Sequence, residues 1–118
     1  MIENKNFIIT QNEGKKFSIK SGDSNKIHTN QNYAYNSIFG KKICFGSHVL
    51  IKILNIIKIS FKKNFYLKVS FNQPAFYEIP IDIYINKKKN EIESIDIFQL
   101  NKFIGIIEID KKKKFSKN

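Results

Sequence analysis

The sequence predicts an α+β fold in which a curved antiparallel sheet wraps around one buried helix. Three observations carry this. Over Gly46 to Ser60 the polar residues His48, Lys52, Asn55 and Lys58 fall on one narrow helical stripe, and apolar residues fill the remaining circumference. A helix that is apolar nearly all round is a buried helix. After it, Phe65, Leu67, Val69 and Phe71, and then Ile79, Ile81, Ile83 and Ile85, alternate with more polar residues. Such alternation in β-branched and aromatic residues marks half-buried strands. Finally, the helices precede the strands and tight turns join the strands, which is the order of an α+β domain with an antiparallel sheet.

The elements follow in chain order. Phe7-Ile8-Ile9 is a short apolar run suited to a strand. Thr10 and Glu13 match a capping box, so a helix over about 11–20 follows, with Phe17 facing inward. Gly14 weakens that helix by about 1 kcal/mol relative to alanine. Ser21-Gly22 ends it, because glycine tolerates a left-handed C-terminal turn. Asp23 to His28 reads as a loop, Asn30 to Ile38 as a short helix, and Ile43-Cys44-Phe45 as the lead into the central helix at Gly46. Pro74 separates the first two strands of the second half, and Lys87 to Asn90 is a hairpin turn. Ile92 to Leu100 and Phe103 to Ile109 form a further pair, joined near Asn101-Lys102. We expect residues 1–110 to form a single domain and the Lys-rich residues 111–118 to form a disordered tail.

A chain of 118 residues is one domain's worth. It carries 21 basic residues against 10 acidic ones, and all the basic residues are lysine. AT-rich coding, which favours Ile, Asn and Lys, accounts for much of this. The missing arginine argues against specific nucleic-acid reading, because bidentate base and phosphate contacts favour that residue. Positive charge does attract an acidic acyl carrier protein or the phosphates of coenzyme A. The single cysteine, Cys44, precludes an internal disulfide, fits a reduced cytoplasmic setting, and reads as a small buried hydrophobe. The N-terminus has no apolar signal core, and the most apolar run, Val49 to Ile59, is too short and interrupted to span a bilayer. Two histidines and one cysteine at these spacings make no metal site.

The most informative stretch is Phe17 to Gly46. Phe17, then Ser21-Gly22-Asp23, Asn25, Ile27-His28 and Ala34 place an acid and an imidazole five residues apart beside a glycine. This string resembles the signature of the MaoC-like (R)-specific enoyl-CoA hydratases, which have the hot-dog fold. Phe71-Asn72-Gln73-Pro74 also resembles a Phe-x-x-Pro step of that family. Two positions depart from its pattern: Lys26 stands where proline is usual, and Phe45 where many members have histidine. The resemblance implies Asp23 and His28 as the catalytic, water-activating pair. It implies Gly46 and Ser47, with Asn25 in the active-site loop, as the substrate-binding and oxyanion-holding residues. It also implies an acyl thioester substrate, on coenzyme A or carrier-protein phosphopantetheine, with no separate cofactor, and a homodimer.

The chemistry of the residues is consistent with that implication. Adding water across a 2-enoyl thioester needs a base for the water, an acid for the α-carbon and a donor for the developing enolate oxygen. Asp and His beside one water can share the first two tasks, worth about 10²–10⁴-fold. A backbone N–H at a helix N-terminus suits the third. His48 reads as part of the helix's polar stripe and Tyr33 as a packing residue. Two other functions compete: a non-catalytic hot-dog protein that binds acyl thioesters or a protein partner, and a basic nucleic-acid-binding module.

Overall fold

The computed structural model describes residues 2–22, 25–37, 40–58 and 66–110. The Lys-rich tail at 111–118 lies outside the described residues. Five strands form one antiparallel sheet: β1 (Ile2–Phe7), β2 (Tyr66–Phe71), β3 (Ile81–Lys88), β4 (Glu91–Gln99) and β5 (Lys102–Asp110). Their order across the sheet is β1-β3-β4-β5-β2. Three α-helices are described: α1 (Gln11–Ser21), α2 (Gln31–Tyr35) and α3 (Gly46–Ile57), with a 3₁₀ turn over Lys26–His28 between the first two. The expected α+β architecture is present. Val49 and Ile53 of α3 join Ile81, Ile83, Ile85, Ile95, Ile97, Ile104 and Ile107 of the sheet in one core.

Local rules explain most of the elements. Thr10 Oγ1 accepts from the Glu13 N–H at 3.1 Å, and Glu13 Oε1 accepts from the Thr10 N–H at 3.0 Å, which completes the capping box of α1. Gly22 closes the helix in the left-handed conformation at φ 76°, its N–H donating to the Ser18 carbonyl. Both hairpin turns place two successive residues at positive φ, Lys89-Asn90 and Leu100-Asn101, as tight two-residue hairpins require. Ile81, Ile83 and Ile85 of β3 are fully buried, at 0–2 % exposure, so the period of two holds there.

Five expectations need correction. The alternation read over Phe65 to Phe71 does not set one buried face in β2: Phe65 lies outside the described residues, Leu67 and Phe71 are as exposed as Tyr66, and only Val69 is partly buried, because β2 is an edge strand. The N-terminal strand is Ile2–Phe7, so it takes in only the first residue of the apolar run; Ile9 lies beyond it, in the core. Its residues show no alternation, because β1 is an edge strand set by its pairing with β3. The short second helix spans only Gln31–Tyr35, and its C-cap is Asn36. The central helix stops at Lys58, which takes a left-handed conformation at φ 51°. Its polar stripe is split: Asn55 and Lys58 are exposed, but His48 is buried and Lys52 pairs with Glu13 of α1.

Gly14 also has a different role from the one read in the sequence. A Cβ there would lie 2.4 Å from Tyr77 Oη, so the absent side chain makes room for a buried ring. No helix among the described residues is long and apolar enough to cross a membrane.

Candidate active site

The site is built from His28 outward. Asn25 Oδ1 accepts from the Ile27 N–H at 3.1 Å and caps the 3₁₀ turn that ends on His28. Lys26 is the first residue of that turn. Proline is favoured at such a position because its N–H would have no partner inside the helix. The Asn25 cap holds the turn with lysine in that place. Asp23 and Ser24 lie outside the described residues, so the expected acid has no geometry here.

His28 Nδ1 lies 2.8 Å from the Ile43 carbonyl. A carbonyl only accepts, so Nδ1 carries the proton, and in the neutral ring Nε2 keeps the lone pair. The accepting segment is itself clamped. The Ile43 N–H donates to the Ile27 carbonyl at 3.2 Å, and the Cys44 N–H to the Ala75 carbonyl at 2.7 Å. Gln99, only 3 % exposed, holds the neighbouring loop in turn. Its Oε1 accepts from the Phe76 N–H at 2.7 Å, and its Nε2 donates to the carbonyls of Phe76 and Ile79. Sequence reasoning missed Gln99. Its signal was a lone amide on the apolar face of a strand.

The face of His28 is set by aromatic packing. Phe45 stacks on it at 3.9 Å between ring centroids and 26° between planes. Phe17 of α1 follows, tilted on Phe45 at 5.1 Å, and then His48 of α3, stacked on Phe17 at 4.5 Å and 3°. Four rings from three segments therefore form one continuous stack. His48 was expected on the helix's polar stripe; it terminates this stack instead, 8 % exposed. Burial lowers its pKa below the usual histidine value; nearby Glu13 raises it and Lys52 lowers it. Its Nδ1 has no hydrogen-bond partner among the described residues.

Phe45 also joins His28 to the start of α3. Its backbone caps that helix: its carbonyl accepts from the N–H groups of His48 and Val49, both at 3.1 Å. No side chain caps the first turn, and Gly46 and Ser47 are exposed. Their N–H groups stand at the positive end of a 12-residue helix. A Cβ at Gly46 would meet Phe71 at 3.5 Å, an ordinary contact, so the protein's own packing does not demand glycine there.

Other candidates separate from this cluster. Cys44 is 5 % exposed, and burial, helped by the Glu13 charge, pushes its thiol up to about 12, which leaves it protonated and unreactive at neutral pH. Tyr33 is 53 % exposed, so it is not the packing residue expected; it lines an open polar groove with Lys26, Asn30 and Asn36. Among the described residues no three metal-ligating side chains converge.

No protein-family model matches the sequence, and no curated protein matches it. Solved structures do match the fold. An (R)-hydratase from A. caviae involved in PHA biosynthesis is 14 % identical, over 95 % of each chain, with a TM-score of 0.68. The R-hydratase PhaJ1 from Pseudomonas aeruginosa is 20 % identical, over 97 % of this chain and 81 % of that one, with a TM-score of 0.66. A MaoC-like dehydratase from Rhodospirillum rubrum is 12 % identical, over 92 % and 87 %, with a TM-score of 0.68. The chain thus has the hot-dog fold of the MaoC-like dehydratases and (R)-hydratases.

Proposed function

We propose that this protein is an acyl-thioester hydratase of the MaoC-like kind. It adds water reversibly across a trans-2-enoyl thioester to give an (R)-3-hydroxyacyl thioester. The observation that carries the reading is the double engagement of Phe45. Its ring packs on His28, whose Nε2 keeps the acceptor lone pair in the neutral ring, while its backbone opens the helix whose first turn no side chain caps. A base and an oxyanion donor are thereby held by one residue.

In this reading Asp23 and His28 Nε2 hold a water between them. The water oxygen attacks the β-carbon of the enoyl thioester as one of its protons passes to the pair. Charge moves onto the thioester oxygen, where the N–H groups of Gly46 and Ser47 stabilise it. Such preorganised donors are worth about 10²–10³-fold each. The pair then returns a proton to the α-carbon, so hydroxyl and hydrogen are both supplied by one water. Asn25 orders the loop through its cap, and no separate cofactor takes part.

The test is hydration of crotonyl-CoA, followed as loss of enoyl absorbance. Wild type turns over, whereas His28→Ala and Asp23→Asn each lose at least about 10²-fold in kcat with little loss of stability. Near-wild-type turnover in either variant refutes the assigned pair. Binding of the thioester without turnover by wild type supports instead a non-catalytic acyl-thioester-binding protein.

A further inference from the structure

The charge of this chain is unevenly placed. Residues 66 to 110, which carry four of the five strands, hold seven acids against five lysines. Residues 14 to 42, which surround His28, hold six lysines against one acid, Asp23. Three of those lysines share a face of α1. Lys15, Lys16, Ile19 and Lys20 recur at helical spacing on one broad face and are all exposed, with Lys15 and Ile19 pointing away from the side that sends Phe17 inward. Ile19, at 82 % exposure, is the most exposed of the large apolar side chains described, and lysines flank it. Among the described residues none of Lys15, Lys16 and Lys20 is in an ion pair with a carboxylate, although Lys5, Lys52 and Lys87 are. Lys42 extends the positive surface to the start of α1, where its Nζ meets Gln11 Oε1 at 2.6 Å.

We infer that this face of α1 docks an acidic carrier protein that delivers the acyl thioester on a tethered arm. The inference rests on the hydratase reading for the identity of the cargo. Its surface chemistry is independent of that reading. An apolar residue flanked by three exposed lysines suits a protein helix with acidic flanks and one apolar contact. The patch is one 11-residue helix, about 16 Å long, which fits a small, transient protein encounter. A nucleic acid would have no use for Ile19 and would favour arginine, which this chain lacks. A membrane would gain only about 2 kcal/mol from burying one isoleucine, too little for stable anchoring. The position also serves delivery. Phe17 on the inner face belongs to the stack that ends at His28, so a partner on the outer face lies about one helix diameter, 10–12 Å, from those rings. Lys26, at the start of the turn that ends on His28, continues the charge toward the imidazole.

The test compares one short trans-2-enoyl chain presented on an acidic acyl carrier protein and on coenzyme A. It uses wild type and the triple variant Lys15→Glu, Lys16→Glu, Lys20→Glu. A parallel titration follows binding of the unacylated holo carrier protein by NMR. The triple variant is expected to lose at least about tenfold in kcat/KM with the carrier substrate, through KM, and less than about twofold with the coenzyme A substrate. Carrier binding weakens as salt rises from about 50 to about 300 mM and is lost in the variant. Ile19→Ser, which leaves the charge unchanged, weakens carrier binding as well.

Unchanged carrier kinetics in the triple variant overturn the inference. So does tighter, lysine-dependent binding to a DNA oligonucleotide or to phosphatidylglycerol vesicles. Turnover of the coenzyme A substrate without carrier binding overturns the docking surface and leaves the hydratase standing. Lysine-dependent carrier binding without any turnover upholds the surface and overturns the hydratase.

Discussion

Phe45 is buried to 2 % exposure and touches the His28 ring while its backbone opens α3. Its replacement separates packing from positioning. Phe45→Leu keeps an apolar side chain in the core and should cost at most about 1.5 kcal/mol if the core repacks. It removes the flat surface on which the His28 ring rests, and small misplacements at a reacting centre cost up to about 10²-fold. We expect enoyl hydration to fall at least about tenfold in kcat, with the urea midpoint little changed. Full kcat in a stably folded Phe45→Leu would mean the stack does not orient His28. His48, at the other end of the stack, predicts a pH effect. Its native pKa lies below the unfolded value of about 6.5. As pH falls through 6.5 the unfolded chain takes up a proton that the native His48 does not. Stability is therefore full above that pH and is lost on acidification toward the native pKa. Urea midpoints measured at pH about 7.5 and about 5 should differ more for wild type than for His48→Leu. An equal acid loss in both would show that His48 is not responsible.

At the scale of elements, what matters is how α1 and α3 are tied together. Glu13 caps α1 with Thr10 and also pairs with Lys52 of α3; its carboxyl is held below the usual range by Lys52 first and the Thr10 N–H second. Gly14, the next residue, lies against Tyr77. Two effects oppose each other in Gly14→Ala. Helix propensity favours alanine by about 1 kcal/mol. The new methyl meets Tyr77 carbons at 2.6 Å inside a packed region, and overpacking costs about 1–3 kcal/mol. The clash wins where the ring cannot move, and Tyr77 is 7 % exposed. We expect Gly14→Ala to lower the denaturation midpoint. A more stable variant would show that the ring shifts freely. Of the fold at this scale, the capping box and the glycine stop of α1 were legible, because each is a short-range rule; the hairpin turns were placed only to within a residue or two, since β3 runs on through Lys87 and Lys88. The partnership of Glu13 with Lys52 was not, since the two are far apart in sequence.

For the whole molecule, the exposed sheet edges decide the expected assembly. β1 and β2 are the two edges. β1 carries Glu3 and Lys5, charges that discourage pairing, beside an exposed Ile2; β2 carries one charge, Lys68, and exposes three large apolar residues, Tyr66, Leu67 and Phe71, at 36–37 %. Phe71 also lies beside Gly46, so the start of α3 adjoins this edge. We propose a two-fold homodimer formed through β2, with the acyl chain bound near the boundary. Sedimentation should give about twice the chain mass for wild type, and a monomer for Tyr66→Lys with Phe71→Lys. A stable, active wild-type monomer at micromolar concentration would remove both the dimer and the acyl site at its boundary.

The sequence by itself determined the helix that anchors the core, the isoleucine face of β3, the ends of α1 and the approximate places of the two hairpin turns. It also determined which residues resemble a hydratase signature. Each is encoded in a period or a fixed short spacing, so a window of a few residues holds the information. Tertiary structure alone decided that His48 ends an aromatic stack, that Gln99 holds the loop beside Ile43 and Cys44, and that Gly14 serves Tyr77. It also decided that β1 takes its place from β3, without an apolar pattern of its own. In each of these cases the partner lies far along the chain. A buried polar or small residue becomes intelligible only when the group that satisfies it, or the ring that fills its space, is brought next to it by folding.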